Sequence, residues 1–375
     1  MKILEVCHFS AGICGVWSRV REESIRLAEK GHEIKIFSSR FVKGTQEIAP
    51  EKDAIGKIEI TRFPATHLGG ESFMHWKYEK EALAFKPDVI MVHNYRQLHT
   101  TKALSIAKKL RKQGKNTRVF LVTHAPFVEG NITRSRLATN LVKLYDSFIG
   151  PRTLNKFDGI IVISNWEIPF LLKMNVRKEK IHYIPNGIPQ EFFTQKKSSE
   201  KKKILFLGRV APKKKLETLI EAIPFIKDKN IQIEVVGPPE KEYFAYLKSL
   251  VSKLKVENRI SFLKPIYEVK KKIQKIDSAM IYVLPSRVEG MPQSLIEAMA
   301  REKIAIGSDS MAIRDLIASG KNGYLFEFDN PRDLARAIDK ALSQSGKVIQ
   351  KNARKSVEKF SWNKIIEKID VLIKR

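Results

Sequence analysis

The sequence predicts an α/β protein made of two successive halves, each a parallel sheet wound with helices. Three observations carry this expectation. Short β-branched runs alternate with stretches of helical periodicity. The alternation pauses at PNGIPQEFFTQKKSSEKKK (185–203), rich in Pro, Gly, Ser and Lys, and restarts beyond it. The 375 residues also exceed what one hydrophobic core usually organises.

In the first half, KILEV (2–6), EIKIF (33–37), DVIMV (88–92), RVFLV (118–122) and GIIVI (159–163) read as buried parallel strands. Near-continuous apolar runs suit a sheet covered on both faces. SRVREESIRLAEKG (18–31) and TKALSIAKKLRKQG (101–114) read as helices that end in glycine. The second half opens with the strand KILFLG (203–208) and the helix LETLIEAI (216–223). IQIEVVG (231–237), RISFL (259–263), AMIYVLP (279–285) and KIAIG (303–307) continue its sheet. FSWNKIIEKIDVLIKR (360–375) is an amphipathic helix carrying Trp362. The expected boundaries are a first domain over 1–188, a linker over 189–203, a second domain over 204–358 and a final helix over 359–375. Both halves are Rossmann-like, and ligands of such sheets gather at the carboxyl ends of the strands. A cleft between the halves is the expected site.

Composition narrows the function. The net charge of +28 favours polyanions: nucleic acid, anionic lipid or phosphorylated substrates. Much of it gathers between residues 102 and 143, as Lys102, Lys108, Lys109, Arg111, Lys112, Lys115, Arg118, Arg134, Arg136 and Lys143, opposed locally by Glu129 and Asp146. With Leu137, Leu141, Leu144 and Phe148 nearby, this stretch reads either as a face for anionic membrane or as a solvated surface over its own core. No apolar run approaches the ~20 residues of a membrane span. MKILEVCHFS reads as a first strand rather than a signal peptide. Two cysteines, Cys7 and Cys14, with no metal-ligand spacing, suggest a reducing cytoplasm and no metal site. The expected location is cytoplasmic, peripheral on the inner face of the membrane if the basic stretch docks there.

Two stretches carry chemistry. In EGMPQSLIEAMA (289–300), Pro292 is expected in the first turn of a helix, where its missing N–H costs nothing. The free N–H groups of that turn, from Gln293 and Ser294 onward, suit a diphosphate. Glu289 precedes the helix and Glu297 lies within it. They read as two separate contacts on one elongated ligand, or else as a capping and a surface glutamate. In LGRVAPKKKLETLIEAI (207–223), Gly208, Arg209 and Lys213–Lys215 follow a strand. Cations there are placed to hold a phosphate, or else form a solvated basic turn.

Together these stretches resemble the retaining glycosyltransferases of the GT-B fold, family 4 (glycosyl transferases group 1). Gly208-Arg209 and Lys214 match the family's first motif, with Lys215 where it usually has glycine. Glu289 and Glu297 match its paired glutamates, with Met291-Pro292 where Phe-Gly is common. SNWEIPFLLKMNVRKEKIHYIPNGI (164–188) and residues 282–309 and 313–338 are similar to the family throughout, while the region before residue 155 is looser. The resemblance implies two Rossmann-like domains facing a cleft, with the last helix crossing back to the first domain. It implies that Arg209 and Lys214 hold the donor's diphosphate, Glu297 accepts from the ribose hydroxyls, and Glu289 sits at the sugar near the reacting centre. Gly208 and the backbone at Met291, Gln293 and Ser294 complete the donor site. VTHAPF (122–127) resembles the family's strand-end histidine, so His124 is expected at the sugar. SAGICGVW (10–17) resembles the glycine turn facing the diphosphate through Gly15, with Cys14 where a second glycine is common. The reaction implied is metal-independent transfer with retention from a UDP- or GDP-sugar, which is a substrate; no cofactor is expected. No D-x-D occurs in the chain. The expected acceptor is a lipid-linked one or a growing glycan. A nucleotide-sugar epimerase or phosphorylase of the same fold is the first alternative; a nucleic-acid-binding protein ranks last.

Overall fold

The computed structural model describes residues 1–12, 14–66, 74–127, 136–194, 201–343 and 346–375, with the side chains of 136–138 outside the description. The chain divides into two compact units, Met1–Asn186 with Ile365–Arg375, and Gly187–Lys364.

The first unit begins β1 (Lys2–Phe9), α1 (Gly15–Glu29), β2 (Glu33–Ser39), β3 (Lys52–Ile55), β4 (Ile58–Phe63), β5 (Ala65–Thr66) and β6 (His75–Trp76). It continues α2 (Glu79–Phe85), β7 (Val89–His93), α3 (Leu98–Lys112), β8 (Arg118–Val122), α4 (Arg136–Phe148), α5 (Gly150–Leu154), β9 (Gly159–Val162), α6 (Ile168–Lys173) and β10 (Ile181–Tyr183). Its main sheet runs β10-β9-β8-β7-β1-β2-β4-β3, parallel except for β3 on β4. After Lys2, every residue of β1 is buried, as expected of a central strand covered on both faces.

The second unit runs β11 (Lys201–Leu207), α7 (Leu216–Ala222), β12 (Gln232–Val236), α8 (Lys241–Lys253), β13 (Ile260–Leu263), α9 (Val269–Asp277) and β14 (Ala279–Leu284). Then follow α10 (Gln293–Ala300), β15 (Ile304–Ser308), α11 (Met311–Arg314), β16 (Tyr324–Phe326), α12 (Pro331–Ser343) and α13 (Lys347–Val357), and α14 (Trp362–Lys374) starts in this unit. Its sheet, β13-β12-β11-β14-β15-β16, is wholly parallel. In both sheets the strand order reverses beside the first strand, between β1 and β7 and between β11 and β14. That is the doubly wound order, whose ligands sit outside the carboxyl ends at the reversal.

Within the segment read as a linker, Gln190–Phe193 forms a 3-10 turn with Phe192 buried, and Lys201–Lys203 already belong to β11. Residues 195–200 lie outside the description. Gly187 and Ile188 are held by the start of α14. Ile188 N–H donates to Phe360 (2.8 Å) and Trp362 N–H to Ile188 (3.1 Å), and a Cβ on Gly187 would stand 2.4 Å from the Trp362 ring. Gly187→Ala is therefore expected to cost about 1–3 kcal/mol by overpacking. Urea unfolding checks this, and an unchanged midpoint would mean the indole has room to move. Beyond Lys364 the helix belongs to the first unit, where His32 bonds Asp370 (2.8 Å) and Lys30 bonds Glu367 (2.6 Å). Among the described residues no helix is long and apolar enough to cross a membrane.

Candidate active site

At the reversal point of the second unit, two loops are tied together. The first follows β11: Gly208, Arg209, a 3-10 turn over Pro212–Lys214, then Lys215, in left-handed backbone (φ +50°) as it enters α7. The second follows β14 and leads into α10. Arg287 N–H donates to the Lys213 carbonyl (3.0 Å), and the Lys214 ammonium bonds Glu289 Oε1, both side chains being mostly buried. The Tyr282 hydroxyl joins the loops from below, lying 3.1 Å from the Leu207 carbonyl and 2.7 Å from Ser294 Oγ. Gly237 lets the β12 end approach: a Cβ there would meet the Gly208 carbonyl oxygen at 1.8 Å.

Pro292 is the residue before α10, not its first helical residue as expected. Its non-helical backbone (φ −78°, ψ 87°) turns its carbonyl to accept the first bonds of the helix, from Leu295 (3.1 Å) and Ile296 (3.2 Å). Gln293 and Ser294 keep first-turn N–H groups without an intrahelical acceptor. The half-buried Met291 stands just ahead of them. The C-terminal end of α10 is anchored by Arg301, whose guanidinium meets buried Asp277 at 2.8 and 2.6 Å.

Glu297 faces inward from α10. Its Oε1 accepts from Lys272 Nζ (2.7 Å), while Oε2 is buried with no partner. Burial raises its carboxyl above the ordinary range and Lys272 pulls it back. Arg209 is half exposed, its only acid partner among the described residues being Glu240 at 3.9 Å. Lys215 is held by Glu217 (3.2 Å) and Asp329 (3.1 Å). Lys213 has no acid partner among the described residues. Burial, and then the neighbouring Lys214, lower its ammonium pKa. The structure thus gathers Gly208, Arg209, Lys214, Glu289, Met291, Gln293 and Ser294 at one sheet end, with Glu297 farther along α10.

In the first unit, Gly15 starts α1 with open space where a Cβ would stand, so its value is access rather than conformation. Among the described residues the first bond of α1 runs from Ser18 N–H to Cys14 (2.9 Å), and the N–H groups before it have no intrahelical acceptor. His124 follows β8 in a two-residue left-handed turn, with φ +56° at His124 and +58° at Ala125. β-Carbon-bearing residues reach that region only under constraint. The constraint is buried Glu167, which accepts from Thr123 Oγ1 (2.5 Å), Ala125 N–H (2.9 Å), Ile163 N–H (2.8 Å) and Ser164 N–H (3.0 Å). Burial lifts its carboxyl to about 7 against these donors. Glu167→Ala strands four donors, so a loss of at least ~2 kcal/mol is expected. Urea unfolding measures it, and a loss below ~0.5 kcal/mol would show that the turn holds without the carboxylate.

His124 Nε2 lies 2.9 Å from His93 Nδ1, and His93 Nε2 lies 2.8 Å from Glu5 Oε2. Sequence reading names Lys213 among the cations after β11 but passes over Lys272 in the second unit and Glu5, His93 and Glu167 in the first. The bonds of these four residues depend on strand order and helix docking within their own unit, which no motif displays.

The descriptions of two protein families match consecutive parts of the chain: Glycosyltransferase Family 4 over residues 13–192 and Glycosyl transferases group 1 over 188–359. The chain belongs to the group 1 glycosyltransferases. It is similar to two uncharacterized glycosyltransferases of Methanocaldococcus jannaschii. One is 32% identical over 51% of this chain, a match spanning only 53% of that relative. The other is 25% identical over 97% of this chain and 95% of the relative. The crystal structure of Anabaena HepE in complex with UDP is similar over 100% of both chains, at 17% identity and a TM-score of 0.76, which speaks to the fold alone. The transferase has the GT-B fold.

Proposed function

We propose that this transferase moves a sugar from a UDP- or GDP-sugar to an acceptor, with retention and without a metal ion. The observation that carries the reading is the cationic, N–H-rich sheet end after β11 and β14, with the unpartnered Glu297 oxygen beyond it. Arg209, Lys213 and Lys214, with the Gln293 and Ser294 N–H groups, suit a diphosphate. Glu297 Oε2 suits the ribose hydroxyls, and Glu289 the sugar. HepE, which shares the fold, is in complex with UDP, a nucleotide of this class.

In the proposed step the bond from the sugar C1 to the diphosphate oxygen breaks and its electron pair stays on the diphosphate. Fixed cations and helix N–H groups stabilise that growing charge. The acceptor hydroxyl oxygen bonds C1 from the same face, and its proton passes to the leaving phosphate. Gly15, at the start of α1, would serve the diphosphate, and His124 the sugar.

A thermal-shift panel of UDP-, GDP-, ADP- and dTDP-sugars in chelator-treated buffer tests the donor. Ligand at ~100 times its dissociation constant adds about 2.7 kcal/mol of stability. One clear hit is expected. No shift at millimolar ligand, with or without Mg²⁺, would overturn donor binding by the free enzyme. Product anomeric configuration by NMR tests retention, and an epimerised or phosphorolysed donor without acceptor would favour the alternatives.

One observation favours a membrane-presented acceptor. On α4, Leu141, Leu144 and Phe148 are exposed along one face, next to exposed Ile149, rather than facing the core. The basic stretch itself is partly neutralised by acids outside it: Glu79 pairs with Lys102 and Lys109, Asp158 with Arg111 at 2.6 Å, and Asp88 with Lys115. Arg134 and Glu129 lie outside the described residues. Binding to anionic liposomes at low salt, weakened by Leu144→Ser with Phe148→Ser, is expected; absence of binding would sink this reading.

A further inference from the structure

Beneath His124 lies a line of titratable groups that the proposed transfer does not use. Glu5 is in the middle of β1, His93 ends β7 and His124 follows β8. The links are 2.8 Å from Glu5 Oε2 to His93 Nε2 and 2.9 Å from His93 Nδ1 to His124 Nε2. Glu5 and His93 are fully buried, and Glu5 Oε1 has no partner. His124 is half-buried, and its Nδ1 makes no hydrogen bond among the described residues.

A neutral imidazole donates at one nitrogen and accepts at the other. Each link holds one proton, so the direction of one bond fixes the direction of the next. With Glu5 as a carboxylate, His93 donates from Nε2, its Nδ1 accepts from His124 Nε2–H, and His124 Nδ1 is a bare lone pair. With Glu5 as an acid, both bonds reverse and His124 carries its proton on Nδ1.

We propose that Glu5, His93 and His124 form a buried relay in which the protonation state of Glu5 decides whether His124 offers a donor or an acceptor to the ligand. The ligand end rests on the reading of His124 as a sugar contact; the tautomer switch does not. Ionisation is balanced as follows. The Nδ1 proton of His124 leaves to solvent or to a ligand oxygen, the His93 Nδ1 proton moves to His124 Nε2, and the Glu5 proton moves to His93 Nε2. Glu5 and His93 are thus positioning residues.

The surroundings agree. Ile36 and Met91, the strand partners of Glu5 in β2 and β7, are apolar. From α1, Arg19 favours the carboxylate, while Glu23, bonded to Arg19 at 3.0 Å, offsets it. Cys7, two residues along β1, stays a thiol because burial pushes it well up. His99, packed on the carbonyl of His93 (2.9 Å), stays neutral through burial. Burial raises Glu5 to about 8 and lowers His93 to about 3, and it holds His124 well below its ordinary value. The carboxyl is therefore the member that titrates, while both imidazoles remain neutral.

The test is a pH titration of the full-length protein labelled with [¹⁵N]histidine, read by two-bond ¹⁵N–¹H correlation, with His93→Gln and His124→Gln assigning the signals. His93 and His124 are expected to exchange tautomers together, with one midpoint near pH 8 and no imidazolium stage. Glu5→Gln should leave His124 in one tautomer at every pH. A fixed His124 tautomer on both sides of pH 8, or a switch that persists in Glu5→Gln, would overturn the relay. If Glu5→Gln does not fold, the coincidence of the two wild-type midpoints decides alone. A coupled switch in an enzyme that binds no nucleotide-sugar would leave the relay standing and remove the donor reading.

Discussion

Lys214→Ala is expected to lower kcat by about 10²–10³-fold, the usual cost of removing one preorganised stabiliser of transition-state charge. The diphosphate gains its charge as the sugar departs, so a cation held at the end of β11 acts more on the transition state than on the bound donor. In the free protein that ammonium bonds Glu289, 75 residues away, and neither side chain is much exposed. Removing the lysine therefore also strands a carboxylate in the site. Glu289→Gln leaves the lysine unpaired in turn, and the double variant should regain part of the stability that each single change loses. Activity should not recover with it, because the proposed roles are separate: Lys214 at the leaving group, Glu289 at the sugar. Urea unfolding and steady-state kinetics on the four proteins separate these effects. A Lys214→Ala enzyme with unchanged kcat and a raised KM would assign the lysine to ground-state binding instead.

The two sheets were legible because their strands are nearly unbroken apolar runs and their helices end in glycine. What the period could not reveal was short or long-range. β10 and β16 have three residues each, too few to display a pattern. The antiparallel edge of β3 and β4 carried no turn signal that was read. Lys215 departs from the glycine its family usually has, and the structure gives the reason for that glycine: the backbone is left-handed there. The lysine tolerates it with its ammonium held by Glu217 and Asp329. Pro292 was read one position too far into its helix, since a proline preceding a helix and one inside its first turn look alike in sequence. The partners of Lys214, Glu297 and His124 depend on which loops lie side by side, so the motif residues were legible while their bonds were not. The basic stretch follows the same rule, because Glu79, Asp88 and Asp158 reach it from outside.

Glu297→Ala is expected to weaken donor binding by about 10–150-fold, the equivalent of losing ~1.5–3 kcal/mol of charge-assisted hydrogen bonding to the ribose, with a smaller effect on kcat. The pH dependence gives this role a signature. Burial holds the Glu297 carboxyl above its ordinary range. A carboxyl raised on folding contributes stability that is complete below its unfolded pKa and is lost as pH rises through the folded one. Stability due to Glu297 should therefore fall with rising pH, and Glu297→Gln should flatten that fall. Donor affinity should move the other way, since a carboxylate accepts from two hydroxyls while the acid keeps one oxygen as a donor. Binding that tightens over the same pH interval in which the free protein loses stability is what a ribose-accepting Glu297 requires. If Glu297→Gln removes the stability slope but leaves donor affinity and its pH dependence intact, the residue is only the buried partner of Lys272.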